Sequence, residues 1–139
     1  MNIGKIILGG IVAGIIYFMG DGVVHGALLK PHWAQVLGAI GVNSQQALES
    51  PAYFGPYDLL KGLLVVWLYA SIRPRFGPGP KTAALAGLAV WFATIPVPML
   101  GLLPMKFFGA SFVVLWALYA LIPMVLGALV GGWIYREKP

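Results

Sequence analysis

The residues able to do chemistry are few, and they stand where an apolar chain has least use for them. Asp21 and His25 lie four apart in FMGDGVVHGALL, and Asp58 and Lys61 lie three apart in GPYDLLKG. On helices, spacings of three and four put each pair on one face. Such a set suits three kinds of chemistry. An acid within an apolar helix, Asp21, can exchange a proton or cation as small transporters do. An imidazole, His25, can be the axial ligand of a haem or a chlorophyll. Buried opposite charges can tie helices together and frame a site for a small ligand or partner.

An enzyme is not spelled out. There is no H-E-x-x-H zinc motif and no glycine-rich phosphate loop. Lys61 and Arg73-Pro74 fall on one helix, at the wrong spacing for an acid-phosphatase pattern. No catalytic residue and no metal site is therefore assigned. The chain has no cysteine, which removes thiolate ligands, redox thiols and disulfides together. A second histidine at matching depth on another helix is missing, so a bis-histidine haem within one chain is not expected, and no cofactor is required.

Each polar residue also has a plainer reading. Asp58 follows Pro56, where a helix is expected to begin, and a carboxylate there stabilises the positive end of the helix dipole. Lys61 can reach its amine outward to headgroups. His25 can be neutral and bonded to Asp21 or to a backbone carbonyl, and His32, between Pro31 and Trp33, suits an interface. Asp21 has no such local explanation. It is not at a helix start and is too short to reach water easily.

The elements that must hold these groups follow from composition. Of 139 residues, 60% are hydrophobic and 9% charged, where a soluble domain carries about 25% charged. That excess of apolar surface must face lipid. Four apolar runs stand out, about 3–29, 56–72, 82–103 and 107–135. Each reaches or approaches the roughly 20 residues needed to cross about 30 Å of hydrocarbon, and apolar runs of this length span as helices. The first run is longer than a signal-peptide core and lacks a small-residue cleavage site, so it is kept as a helix. The expected fold is all-α: a single four-helix transmembrane bundle. On the first helix Asp21 lies about 27 Å and His25 about 33 Å from Ile3, at 1.5 Å per residue. Antiparallel packing of the first two helices would then gather Asp21, His25, Asp58 and Lys61 in the outer third of the bundle.

Charge sets the orientation. Four crossings leave Lys5, Arg73, Arg75, Lys81, Arg136 and Lys138 on one side and only Lys30, Lys106 and Lys61 toward the other. The positive-inside rule makes the first side, with both termini, cytoplasmic. The net charge of +5 is thus a matter of topology, and nucleic acid is not an expected partner. In the basic turn RPRFGPGPK, Arg73, Arg75 and Lys81 face anionic lipid headgroups, and the prolines and glycines should stop the second helix. Trp67, Tyr69, Trp133 and Tyr135 fit the same interface, and Trp33, Tyr53 and Tyr57 the outer one.

The outer loop 31–55 carries Trp33, Val36, Leu37 and Ile40 at helical spacing, which suggests a short interfacial helix, and Ser44 can cap a further turn through Glu49. Gly10/Gly14, Gly22/Gly26 and Gly127/Gly131 have the small-xxx-small spacing of close helix packing. Pro96, Pro98 and Pro123 should kink their helices and free carbonyls that Thr94 could meet. LLVVWLYA and FVVLWALYA echo one another, but LGGIVAGIIY and LGALVGGWIY echo across helices of opposite direction, so no single duplication explains both.

The stretch from Val65 to Trp91, containing WLYASIRPRFGPGPKTA, together with IILGGIVAGIIYFMGDGVVHGALL and LVGGWIY, resembles a group of small four-helix bacterial membrane proteins of unknown function. The resemblance implies a bacterial inner membrane and one four-helix domain, and brings no catalytic residues. The leading expectation is a membrane component without catalysis, an accessory, assembly or ligand-binding protein. Its partners would be the lipid bilayer and a larger membrane complex or a second copy. A proton-coupled, dimeric transporter centred on Asp21 is the alternative, and a haem- or chlorophyll-binding subunit using His25 comes third.

Overall fold

The computed structural model describes residues 1–43 and 51–135, the side chains of 51–53 excepted. Its regular structure is helical, with no strand among the described residues. Helix α1 spans Ile3–Val23 and runs on into a π-helical turn, Val24–Leu28. Asn2 caps it, its Oδ1 accepting the Lys5 N–H at 3.1 Å. Helix α2 spans Lys30–Ala39, α3 Pro51–Phe76, α4 Pro80–Thr94 and α5 Pro96–Leu102. A 3-10 turn, Leu103–Met105, precedes α6, Ala110–Ile134.

Three stretches, Ile3–Leu28, Pro80–Met105 and Ala110–Ile134, are long and apolar enough to cross a membrane. Only 33% of each apolar window is buried inside the protein. The rest, including Leu8, Ile15, Met19, Leu118 and Ile122, is exposed, as lipid contact requires. The expected fourth crossing is not among them. Its helix, α3, has 26 residues but carries Asp58, Lys61, Arg73 and Arg75, which lower its apolar character.

Helices adjacent in the packing approach through glycine. A Cβ on Gly10 would lie 2.8 Å from the Leu63 Cα, and one on Gly14 2.8 Å from the Leu59 Cα, so α1 and α3 run antiparallel in near backbone contact. A Cβ on Gly62 would strike the Gly10 carbonyl from the other side of that seam. Gly9 faces the Gly131 carbonyl and Gly127 faces the Tyr17 ring, which sets α6 antiparallel to α1. Gly87 against Met124 and Ala128, with Gly132 against Ala83, sets α4 antiparallel to α6. The expected Gly10/Gly14 and Gly127/Gly131 pairs thus sit in interfaces, whereas Gly22 and Gly26 face open space. Tyr17, Val65, Val66, Ala86, Met124 and Ala128 fill the core.

Three expectations need correction. The second helix was expected to begin near Pro56 and stop before Pro74, yet α3 starts at Pro51 and includes both prolines. Pro74 gives up its bond to the Ala70 carbonyl, but α3 runs only two residues beyond it. The stop falls at Gly77, whose φ of +82° no side chain tolerates well and whose N–H bonds the Arg73 carbonyl at 2.9 Å. The third run is not one helix. It breaks at Ile95, between α4 and α5, where Pro96 removes a backbone donor. Thr94 Oγ1 turns back to its own-turn carbonyl of Val90 at 2.8 Å, not to a carbonyl freed by proline. Pro123, by contrast, stays inside a continuous α6 and packs where Gly20 leaves room. The short helix expected in the loop is α2, which holds Trp33, Val36 and Leu37, while the Ser44–Glu49 capping turn lies outside the described residues.

Candidate functional site

The glycine seam between α1 and α3 brings Asp21 and Lys61 together. Lys61 Nζ donates to Asp21 Oδ2 at 3.0 Å, a pair forty positions apart in sequence. The same Nζ approaches Asp58 Oδ1 at 2.7 Å, one turn back on α3. That approach is too oblique for a hydrogen bond, so it counts as an ion contact and leaves both Asp58 oxygens without a hydrogen-bond partner. The three groups are interior. Asp58 is 0% exposed, Lys61 4% and Asp21 9%.

The walls of the triad are aromatic. Lys61 Nζ lies 4.5 Å from the Tyr57 ring centre and 5.7 Å from that of Tyr17, a cation–π arrangement on two sides. Nothing in the sequence singled out Tyr17, and Tyr57 was assigned only to the outer interface, although Tyr17 stands four before Asp21 and Tyr57 four before Lys61, the spacing that shares a helix face. Tyr17 is anchored in turn, its hydroxyl donating to the Met124 carbonyl at 3.1 Å.

The plainer readings of Asp58 and Lys61 do not hold. Because α3 begins at Pro51, Asp58 lies about two turns inside it, beyond the reach of the N-terminal dipole. The Lys61 amine is turned into the protein, where it meets two carboxyls, and does not extend outward.

His25 is not part of the triad. Its Nδ1 accepts the Trp33 indole N–H at 3.0 Å, and its ring meets Trp116 edge to face at 4.9 Å. Phe108 and Phe112 complete this aromatic cluster around Trp33. The helix widens into the π turn at Val24, and α2 folds back so that Trp33 holds the ring on the α6 side. An indole nitrogen can only donate, so the neutral imidazole carries its proton on Nε2 and has no lone pair there for a metal. The residues do not fit an axial haem or chlorophyll ligand. His32 stacks on Phe112 at 5.8 Å, its Nδ1 buried without a partner. No group of three or more histidine, aspartate or glutamate side chains is placed to hold a metal ion among the described residues.

The basic residues lie at the opposite end of the molecule. Arg75 and Lys81 are exposed, and Arg73 is half-buried with its guanidinium 5.9 Å from the Tyr135 ring. Tyr69 and Tyr135 are buried there and staple the end shut. Tyr69 Oη accepts the Gly79 N–H at 3.2 Å and Tyr135 Oη the Asn2 N–H at 3.1 Å. A cavity of about 660 Å³ lies beside them, lined by Tyr69, Arg73, Ala83 and Trp133 among others. A second, of about 490 Å³, lies between Ile11, Phe18 and Pro56. Neither is lined by Asp21, Asp58 or Lys61.

Fold and site together define, among the described residues, a helical protein with three stretches of membrane length and a buried acid–lysine–acid set. Comparison with protein-family models, curated proteins and solved structures gives no match.

Proposed function

We propose that the chain is a multi-pass membrane protein without catalysis, an accessory or assembly component in which Asp21, Lys61 and Asp58 clamp α1 to α3. The observation that carries this reading is the single Lys61 ammonium bridging carboxyls from two helices in the buried interior. Removing one partner of such a set leaves an unpaired buried charge, so the set holds the two helices in one register.

In this reading α3 is the fourth crossing. At 1.5 Å per residue its 26 residues extend about 39 Å, enough for about 30 Å of hydrocarbon. Its charges fall in the buried triad and at the basic end, where they do not meet lipid tails. The positive-inside rule puts that end, with Lys5, Arg73, Arg75 and Lys81, in the cytoplasm. The resemblance to small bacterial four-helix proteins supports an inner-membrane location, with Arg75 and Lys81 toward anionic headgroups. The exposed apolar faces of α1 and α6 offer docking area for a larger complex or a second copy.

A proton-coupled transporter is the second reading. What favours it is Asp58, a buried carboxyl with neither oxygen hydrogen-bonded. Purification from native membrane in mild detergent separates the two. A stoichiometric partner that travels with the chain supports the assembly reading. A solitary chain that drives proton-linked flux in liposomes, lost in Asp21→Asn, sinks it.

A further inference from the structure

We infer that the triad binds one proton at neutral pH, held on the Asp58 carboxyl, so that the buried set is an Asp21–Lys61 ion pair beside a neutral acid. This deepens the clamp reading and rests on its geometry. Two carboxylates and one ammonium sum to one uncompensated negative charge in an interior where Asp58 has no solvent contact. An isolated charge in such a place is neutralised in preference to being buried.

The division of contacts says which acid takes the proton. Asp21 accepts a direct hydrogen bond from Lys61, whereas Lys61 meets Asp58 too obliquely to donate to it. The ammonium is thus hydrogen-bonded to Asp21 and in ion contact alone with Asp58. Asp58 has two acceptor oxygens and no donor, and a proton on one of them supplies the missing donor. The neighbouring acceptor is the Asp21 carboxyl, which touches the same Nζ from α1. Two carboxylates facing one another repel, while an acid facing a carboxylate is bonded.

Among the described residues nothing else nearby supplies the balancing charge. From α1 the site is faced by Asp21 and the Tyr17 phenol, and from α3 by Lys61 and Tyr57. His25 is held away from the triad by Trp33, on the α6 side. Helix α6 carries no charged residue, and the one charge of α4, Lys81, sits at the opposite end of the molecule.

Infrared spectroscopy of the full chain in lipid vesicles at neutral pH tests this. A protonated carboxyl shows a carbonyl stretch well above the carboxylate and amide bands. We expect one such band, downshifted in heavy water, absent in Asp58→Asn and retained in Asp58→Glu. Asn imitates the neutral acid, so D58N should melt within a few degrees of the wild type, whereas D21N should melt far lower. The proposal is overturned by a wild-type spectrum without the band, by a band that survives D58N, or by a D58N protein that loses its fold. The clamp is judged apart from this, by the melting of D21N and K61M: a band with unchanged melting in both would sink the clamp and keep the proton.

Discussion

Replacing Lys61 by methionine keeps the length and most of the volume of the side chain and removes only the ammonium. Two contacts vanish, at 3.0 Å to Asp21 and 2.7 Å to Asp58. With an effective dielectric constant near 20, the first alone amounts to about 5.5 kcal/mol of Coulomb attraction. Desolvation of the ammonium, 4% exposed, opposes most of that in the native protein. The variant does not recover the difference, because the carboxylate of Asp21 stays buried without its partner, and breaking such a pair from one side costs about 3–5 kcal/mol. Reversible unfolding in mixed micelles, followed by circular dichroism, reads the loss. Replacing the whole set by apolar side chains in K61M/D21L/D58L should restore most of the stability, since an apolar replacement of a buried ion set is often neutral. A K61M variant within about 1 kcal/mol of the wild type would refute the reasoning, as would a triple variant no better than K61M. A cycle of D21N and K61M should show strong coupling, and additive losses would mean that the two side chains do not meet.

Other outcomes follow from the same geometry. Gly62→Ala puts a methyl against the Gly10 backbone and should cost about 1–3 kcal/mol, while Gly22→Ala, in open space, should leave stability unchanged or raise it by up to about 1 kcal/mol. Equal effects of the two in the same unfolding assay would show that the α1–α3 seam is not tight. Trp33→Phe removes the donor to His25 Nδ1 while keeping an aromatic ring, and should cost about 1 kcal/mol and leave the infrared band of Asp58 untouched. Because the chain has no cysteine, single cysteines report topology cleanly. Those introduced at Asn2 and Pro78 should be shielded from an impermeant maleimide in intact cells and one at Lys30 labelled, and any other pattern contradicts four crossings with a cytoplasmic basic end.

Some of this was legible in the residues themselves. Glycine pairs at four-residue spacing foretold the close approach of α1 to α3 and to α6. The same spacing at Gly22 and Gly26 foretold nothing, because spacing marks a smooth helix face but not the presence of a neighbour. Pro96 was expected only to kink the third run, and the chain instead breaks before it at Ile95. The stop expected at Pro74 falls three residues later, where the positive φ of Gly77 ends α3.

What the sequence by itself determined is the apolar character and the helical secondary structure: apolar runs long enough to cross a membrane satisfy their backbone within themselves as helices. It also determined that Asp21, His25, Asp58 and Lys61 stand within those runs. Which of them meet was decided by tertiary structure alone. Helical periodicity ranked His25 with Asp21, but a π turn and the Trp33 indole hold its ring on the α6 side, whereas Lys61, forty positions away, reaches Asp21 because glycines at 10, 14 and 62 let two backbones touch. Proximity across helices depends on how near the axes come and how each is rotated, and both are set by the neighbour's side chains.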